Sequence, residues 1–285
     1  MADLREEHGV DKVCQSLSVS RSGFYLWSDP QPGKREEENT RLEQEIQKIH
    51  MEYKERYGSP RIHAELKDRG FACNHKRVER VMKEKGIRSK RAKKMKVVTT
   101  DSKHSLPVAE NLLGRDFNPP GPNQVWVGDI TYIQTGEGWV YLATVIDLWS
   151  RKVVGWETSD SMETGLVITA LERACASRVR PEGVIFHSDR GSQYASHDFR
   201  LSLEQNGVIQ SMSRKGDCWD NACAESFFKT LKAEEVFHRK YQTKEEARMS
   251  IFEFIEVFYN RQRKHSYLGY LSPEEFERCK TKQVA

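Results

Sequence analysis

The stretch QVWVGDITYI, residues 124–133, decides the fold class of the chain. Its residues alternate with the period of two that is typical of a β-strand. One face of this predicted strand carries Val125, Val127, Asp129, Thr131 and Ile133. Asp129 therefore lies among apolar neighbours. Because a buried carboxylate without a partner is costly, this position requires a cation or strong hydrogen bonds.

The pattern that follows this strand predicts an α/β fold. The turn Thr135–Gly138 leads to the apolar run Trp139–Ile146 and then to Lys152–Glu157, so three neighbouring antiparallel strands are predicted. Helices and strands then alternate, over Thr164–Ser177, Gly183–His187, His197–Gln205, Val208–Met212, about Asp220–Glu235 and Lys244–Asn260. The order β-β-β-α-β-α-β-α is that of a mixed sheet flanked by helices.

The first hundred residues are predicted to be helical. Val10–Trp27 reads as two short helical pieces around a Ser-rich turn, which resembles a helix-turn-helix fragment. A charged amphipathic helix is predicted over Glu37–Glu55. Two further helices follow, Ile62–Asp68 and His75–Glu84, the second with Asn74 as its N-cap. The last helix carries Arg77 and Arg80, so a small DNA-binding domain is one interpretation and a plain two-helix scaffold is the other.

Changes in composition predict five segments along the chain. They are a helix-turn-helix-like segment at 1–35, a helical domain with a basic tail at 36–96, which binds DNA in the first of the two interpretations above, a turn-rich linker at 97–123, the mixed-sheet domain at 124–275 and a C-terminal tail at 276–285.

Composition excludes several classes of protein. No run of eighteen apolar residues is present, which excludes a membrane span and a membrane partner. The N-terminus lacks the apolar stretch of a secretory signal, so we expect a cytoplasmic protein. The six cysteines form no C-x-x-C pair, and neither a disulfide framework nor a zinc site is expected.

Positive charge is concentrated in one run, although the net charge is only +4. A solvated linker would explain this run, but a polyanion partner is the sharper interpretation, because lysine and arginine displace counterions from DNA. The run consists of Arg88, Lys90, Arg91, Lys93, Lys94 and Lys96.

Three acidic residues stand out by their positions. Asp129 lies inside an apolar strand, and Asp189 follows a predicted strand at its C-terminal end, where open α/β sheets bind ligands. Glu225 flanks the apolar stripe of the predicted helix Asp220–Glu235. Taken singly, each has a plain alternative. Asp129 could be a strand residue facing solvent, Asp189 could form a turn or cap a helix, and Glu225 could be a solvated helix residue. Their joint arrangement favours a shared site.

The helix that carries Glu225 also carries two lysines. Lys232 lies two turns further on the same face, about 10 Å along the axis, and Lys229 lies between them. This helix therefore offers a carboxylate for a metal ion and two ammonium groups for phosphates.

Carboxylates are the ligands that hard divalent ions prefer, so the three acids predict a site for Mg²⁺ or Mn²⁺. Two ions about 4 Å apart can activate an attacking oxygen and stabilise a leaving oxygen in phosphoryl transfer. We expect Asp129 to bridge both ions, with Asp189 and Glu225 each holding one. Without metal, three close carboxylates would raise one another's pKa values.

Several motifs together resemble the core of retroviral-integrase-like (DDE) transposases. More narrowly, they look like the B-frame subunit (OrfB) of the bacterial insertion-sequence family typified by the third element catalogued. Thirty-five residues separate Asp189 from Glu225, which matches that family's second acidic interval. The motifs are WVGDITYI, VIDLWSRKVVGW, HSDRGSQYAS, DNACAESFFKTLKAE, YNRQRKHSYLGYLSPEEF and YGSPRIHAELK.

The resemblance implies an RNase H-like fold, with Asp129, Asp189 and Glu225 as the catalytic and metal-binding residues. It also implies that Lys232 contacts the terminal DNA of the element. In such enzymes water cleaves at an element end, and the freed 3′-OH then attacks another phosphodiester. We expect DNA ends and target DNA as partners, a homo-oligomer on DNA, and fusion to an upstream A-frame product.

Other residues in these motifs are expected to shape the site. For Asn221, helix capping is the alternative. A set near the C-terminus, Tyr259, Asn260, Arg263 and His265, could contact DNA or pin the last helix, and the sequence favours neither. The residues expected to shape the site around Asp189 are His187, Ser188, Gly191, Gln193 and Tyr194.

Two other functions remain open at this stage. One is a non-catalytic DNA-binding regulator of transposition, which the basic run and the helical N-terminal segment would support. The other is a nuclease of the same fold that only hydrolyses DNA.

Overall fold

The computed structural model describes residues 9–28, 33–90, 105–179, 181–214 and 218–284. The chain divides into two compact units, Met1–Arg88 and Ser89–Ala285. None of the helices in the described ranges combines the length and the apolar character that crossing a membrane requires.

The first unit is helical, as predicted. Helices α3, α4 and α5 contact one another and bury Ile46, Ile62 and Val78. The predicted N-cap of α5 is confirmed, since the Asn74 side chain accepts a hydrogen bond from the Arg77 N–H at 2.8 Å. The helices are α1 Val10–Ser16, α2 Arg21–Ser28, α3 Lys34–Glu52, α4 Ser59–Asp68 and α5 His75–Glu84.

The second unit is built on a mixed five-stranded sheet of order β3-β2-β1-β4-β5. The first three strands pair antiparallel, while β4 pairs parallel with both β1 and β5. The predicted fold class, an α/β fold with a mixed sheet flanked by helices, is confirmed. The strands are β1 Val125–Thr135, β2 Gly138–Asp147, β3 Val153–Ser159, β4 Ile185–Ser188 and β5 Ile209–Met212.

One core cluster lies between the sheet and α6, Thr164–Ser177. Trp126 and Phe186 belong to it, together with Tyr194 of α7 and Phe199 of α8. Helix α6 approaches β3 so closely that a Cβ at Gly155 would lie 2.3 Å from a backbone oxygen of α6. A glycine is therefore required there. The two short helices are α7 Ser192–Ala195 and α8 His197–Gln205.

The remaining helices contact the sheet outside that cluster. Helix α9, Ala222–Glu234, follows the 3₁₀ turn Cys218–Asn221 and packs on β1, and α10, Lys244–Phe252, packs on β1 and β2. The prediction of one regular helix over Lys244–Asn260 is wrong in part, because the chain continues beyond Phe252 as a π-helix, Glu253–Tyr259.

The start of α9 is anchored at an open edge of β1. Strand β4 pairs with β1 only along Val125–Val127. At the next residue, the Asn221 side-chain amide donates a hydrogen bond to the Gly128 carbonyl at 3.2 Å. The Asn221 side chain makes no capping bond to α9, so the capping alternative is wrong. This asparagine instead docks the helix on the strand.

Asp220, the residue before Asn221, forms a second anchor. Its carboxylate accepts hydrogen bonds from the Arg214 side chain and backbone, from Asn111 at 2.8 Å and from Arg115 at 3.0 Å. These bonds hold the pKa of the Asp220 carboxyl well below its usual range, with the Arg214 hydrogen bond as the largest cause. The segment before β1 and the loop after β5 thus meet at the start of α9.

The end of α9 is anchored by the C-terminal region. Arg263 donates two hydrogen bonds to Glu234, at 2.8 and 2.7 Å, and both side chains are buried. The Asn260 side chain bonds both the N–H and the carbonyl of Val153, each at 3.0 Å. Tyr259 is buried, and burial raises its pKa to about 12. For these three residues the structure favours pinning over DNA contact.

Two segments lie at the periphery of the predicted mixed-sheet domain. Within the predicted tail at 276–285, helix α11, Pro273–Val284, covers residues 276–284, and Glu277 accepts hydrogen bonds from Arg178. The described part of the predicted linker at 97–123 lies against β5. There the Met212 N–H donates to the Glu110 carbonyl at 3.3 Å, and the Leu112 N–H donates to Ser211 at 2.9 Å.

The anchor at the end of α9 predicts a large loss of stability in Arg263→Ala. The change removes two buried charge-assisted bonds from Glu234, so we expect the free energy of unfolding in urea to fall by about 3–5 kcal/mol. Arg261→Ala is the matched control. Its pair with Glu274 is exposed, and its loss is expected to cost at most about 0.5 kcal/mol. Equal effects of the two substitutions would contradict this role of Arg263.

The anchor at the start of α9 predicts a pH-dependent stability. Because the folded pKa of Asp220 is depressed, its contribution is complete above the unfolded value of about 3.9 and is lost as the pH falls below it. Asp220→Asn should therefore lower the melting temperature at pH 7, and the difference from wild type should narrow below about pH 4. A difference that stays constant through that range would refute the ion-pair explanation.

Candidate active site

Asp129 lies in β1, two residues beyond the last residue that pairs with β4. One carboxylate oxygen accepts a hydrogen bond from the Ile130 N–H at 2.8 Å. Burial raises the pKa of Asp129 well above its ordinary value, the charges of Asp189 and Glu225 add to the rise, and Lys232 opposes it. Negative charge is thus concentrated around Asp129, which is itself partly buried on β1.

Asp189 follows β4 at its C-terminal end, as predicted. Its carboxylate accepts a hydrogen bond from the Gly191 N–H at 2.9 Å. Behind it, the fully buried His187 ring bonds Ser211 at 2.8 Å and Ser213 at 3.2 Å. Burial lowers the pKa of His187 to about 4, so the ring is neutral at pH 7. His187 holds the end of β4 in place and is not suited to carry a charge.

Glu225 lies on the first turn of α9, with its side chain exposed. Desolvation by the surrounding protein raises its pKa, Lys229 counteracts this effect, and Asp189 adds to it. The three acids are close enough to interact, since the charge of Asp189 raises the pKa values of both Asp129 and Glu225.

The three carboxylates do not form a closed metal cage. Among the described residues, no group of three or more His, Cys, Asp and Glu side chains is arranged so that it could hold an ion. The donor chemistry nevertheless fits a hard divalent cation, because the groups are carboxylate oxygens. The raised pKa values of Asp129 and Glu225 point the same way, because a cation would relieve the repulsion that raises them.

The two lysines of α9 occupy different surroundings. Lys232 is mostly buried, and its ammonium nitrogen lies 5.3 Å from the centre of the Tyr132 ring. Burial lowers its pKa, and the charge of Asp129 counteracts that effect. Lys229 is exposed beside Glu225. One helix therefore presents a carboxylate and two ammonium groups, as its spacing predicts.

Tyr194 lies beside the acids, whereas Asp220 anchors the start of the helix that carries Glu225. Tyr194 is buried, and the pKa of its hydroxyl is raised well above normal by burial and by the charges of Asp129 and Asp189. The sequence patterns do not single out Asp220 as an anchor of this helix. Its partner Arg214 is only six positions away, so a local ion pair could have been predicted from the sequence. Its other partner, Arg115, is 105 positions away, and no sequence pattern indicates that contact.

The predicted DNA-binding residues outside α9 differ in their surroundings. Arg77 donates hydrogen bonds to Asn39 at 3.1 and 2.7 Å, so it ties α5 to α3. Arg80 is exposed and pairs with Glu84 at 3.8 Å. Arg88 is exposed and Lys90 is partly exposed. The rest of the basic run lies outside the described residues, namely Arg91, Lys93, Lys94 and Lys96.

Asp147, the other acid on a central strand, is structural. It is fully buried and accepts hydrogen bonds from the backbone N–H groups of Asn123, Trp149 and Ser150. These bonds form the turn after β2.

Three family models match the chain. An integrase core domain matches residues 119–218 and, as a second model, residues 206–273. An HTH-like domain matches residues 36–95. Among solved structures, the catalytic core domain of BIV integrase covers 57% of this chain and 99% of its own, with 14% sequence identity and a TM-score of 0.40.

Curated relatives match over nearly the whole length. The transposase InsF for insertion sequence IS3A of Escherichia coli strain K12 is 44% identical over 95% of this chain and 94% of its own. An uncharacterised 31 kDa protein of insertion element IS600 from Shigella sonnei is 46% identical over 93% of this chain and 97% of its own. The chain therefore belongs to the IS3 family of insertion-sequence transposases, with an HTH-like domain followed by an integrase core.

Proposed function

We propose that the protein cleaves the ends of an insertion sequence and joins the freed 3′-OH to target DNA, with Asp129, Asp189 and Glu225 as its catalytic residues. The observation that carries the proposal is Asp129. It is a carboxylate on a central strand whose pKa is raised by burial and by the other two acids. Burial also raises the pKa of Asp147, but its carboxylate accepts hydrogen bonds from several backbone N–H groups, whereas the rise at Asp129 comes in part from two other acids.

The three acids would hold Mg²⁺ or Mn²⁺, with two ions per site. When bound, such ions supply Lewis-acid stabilisation of the negative charge on the attacking and leaving oxygens. The raised pKa values of Asp129 and Glu225 support this assignment, because a site rich in mutually repelling carboxylates suits a divalent cation.

The other residues of the site bind and orient the DNA. Lys232 and Lys229 bind phosphates of the DNA, since they lie on the same helix as Glu225. Asn221 fixes that helix against Gly128, the residue before Asp129. Tyr194 closes the site from the core side, next to Asp129 and Asp189.

The proposed partners are the DNA of the element ends, further copies of the chain and an A-frame product. In the proposal, the domain at 36–96 and its basic tail bind the terminal repeats of the element, with the exposed Arg80 and Arg88 and the partly exposed Lys90 as phosphate contacts. Cutting two ends in one event requires a homo-oligomer on DNA, and fusion to an A-frame product supplies further end recognition. In the proposal the protein acts on chromosomal DNA, so its location is the cytoplasm.

The central test is Asp129→Asn. Oligonucleotides that carry the terminal repeats, read from the DNA flanking the gene, are incubated with target plasmid and Mg²⁺ or Mn²⁺. The variant should lose cleavage and joining by at least about a thousandfold, because a carboxylate that would hold the metal ions is replaced by a neutral amide. Its melting temperature should equal or exceed that of wild type, since the substitution removes a poorly solvated charge.

The outcomes of this assay separate the alternatives. Full activity of Asp129→Asn would remove the three acids from the mechanism. DNA binding without strand chemistry, both in the wild-type chain and in its A-frame fusion, would favour a regulator. Cleaved ends that never appear joined to plasmid would favour a nuclease.

The anchoring of α9 predicts a second effect on activity. Asn221→Ala removes the bond to Gly128, so Glu225 is held less firmly, and we expect kcat to fall by at least about tenfold with little change in KM for DNA. The Mg²⁺ concentration for half-maximal rate should rise. Asn221→Gln, which keeps an amide donor, should recover part of the rate. A parallel loss of DNA affinity would show that Asn221 acts elsewhere.

A further inference from the structure

An exposed aromatic pair lies on the β1–β2 hairpin. Trp139, near the start of β2, is 42% exposed, and its ring meets the Tyr132 ring edge-on, with centroids 4.9 Å apart and planes at 81°. A single exposed hydrophobic residue is common on protein surfaces, so exposure alone indicates nothing. The position of this pair beside the candidate active site is what gives it significance.

Lys232 links the pair to the acids. Its ammonium nitrogen lies 5.3 Å from the centre of the Tyr132 ring, and its charge acts on Asp129. Lys232 thus connects two regions: the catalytic carboxylates and an aromatic surface that ends at Trp139. DNA whose phosphate is bound at Lys232 would bring an adjacent nucleotide to these rings.

We propose that Trp139 and Tyr132 form a stacking subsite for one unpaired DNA base next to the phosphate bound by Lys232. This inference rests on the proposed function. Asp129 is partly buried on β1, and opening a terminal base pair would improve the access of the reacting phosphodiester to it. Stacking the freed base on an aromatic side chain offsets the cost of opening.

The chemistry of the surface favours a base over other occupants. A cation next to aromatic rings is typical of binding sites for single-stranded nucleic acid, in which the phosphate contacts the cation and the base stacks on a ring. Contact with a second copy of the chain is the competing interpretation, and the test includes it as an outcome.

The test is a binding measurement without divalent metal, so that no strand is cut. Fluorescence anisotropy compares a blunt duplex with the same duplex ending in a short unpaired 3′ arm. Wild type should bind the forked DNA about tenfold more tightly, which is the usual scale of one base–aromatic stack. Trp139→Ala should lose this preference and keep its affinity for the blunt duplex, while Trp139→Phe should keep most of it.

Two controls sharpen the measurement. Phe252→Ala removes another exposed aromatic side chain of the same unit, 49% exposed on α10, and should leave the preference unchanged. The salt dependence separates stacking from charge. Trp139→Ala should weaken forked-DNA binding at every salt concentration, whereas Lys232→Ala should also reduce the slope of log affinity against log salt by about one.

Several results would overturn the subsite. They are equal affinity of wild type for both DNAs, an unchanged preference in Trp139→Ala, and an equal loss on both DNAs. A changed oligomer size in Trp139→Ala with an intact preference would indicate a contact between copies. Failure of the proposed function is distinguishable, because wild type could then show the forked-DNA preference without any metal-dependent cleavage.

Discussion

The structure of the second unit depends on how helix α9 is held along the open edge of β1. Strand β4 pairs with β1 only as far as Val127, and the Gly128 carbonyl beyond it accepts a hydrogen bond from the Asn221 side chain instead. Asp220 fixes the start of the helix, and Arg263 fixes its end through Glu234. Because the helix is anchored at both ends, Glu225 and Lys232 have defined positions relative to the strand that carries Asp129.

This anchoring brings like charges together at a cost in stability. Burial and neighbouring carboxylates raise the pKa of Asp129, and Lys232 gives only partial compensation. The chain retains this unfavourable arrangement beside a well-packed core of Trp126, Phe186 and Phe199. Local violations of folding rules are typical of functional sites, where the surrounding structure supplies the stability that the site lacks.

The sequence predicted what depends on local pattern. Asp129 on a strand, the helix Thr164–Ser177 and the Asn74 cap follow from periodicity and capping chemistry, and the structure has each of them. Contacts between distant segments were not predictable in this way. The bond from Arg115 to Asp220 joins residues 105 positions apart, and Asn260 uses its side chain as a strand partner of Val153. For the same reason the sequence does not predict helix α11 over 276–284, because the hydrogen bond from Arg178 to Glu277 joins residues far apart in the chain.

The most direct test of the account is a crystal structure of the protein with a terminal-repeat DNA and Mn²⁺, with the metal located by its anomalous scattering. The account predicts manganese bound by carboxylate oxygens of Asp129, Asp189 and Glu225, beside the phosphate that Lys232 contacts. Manganese bound elsewhere, or a Glu225 side chain directed away from both aspartates in the DNA-bound state, would contradict it.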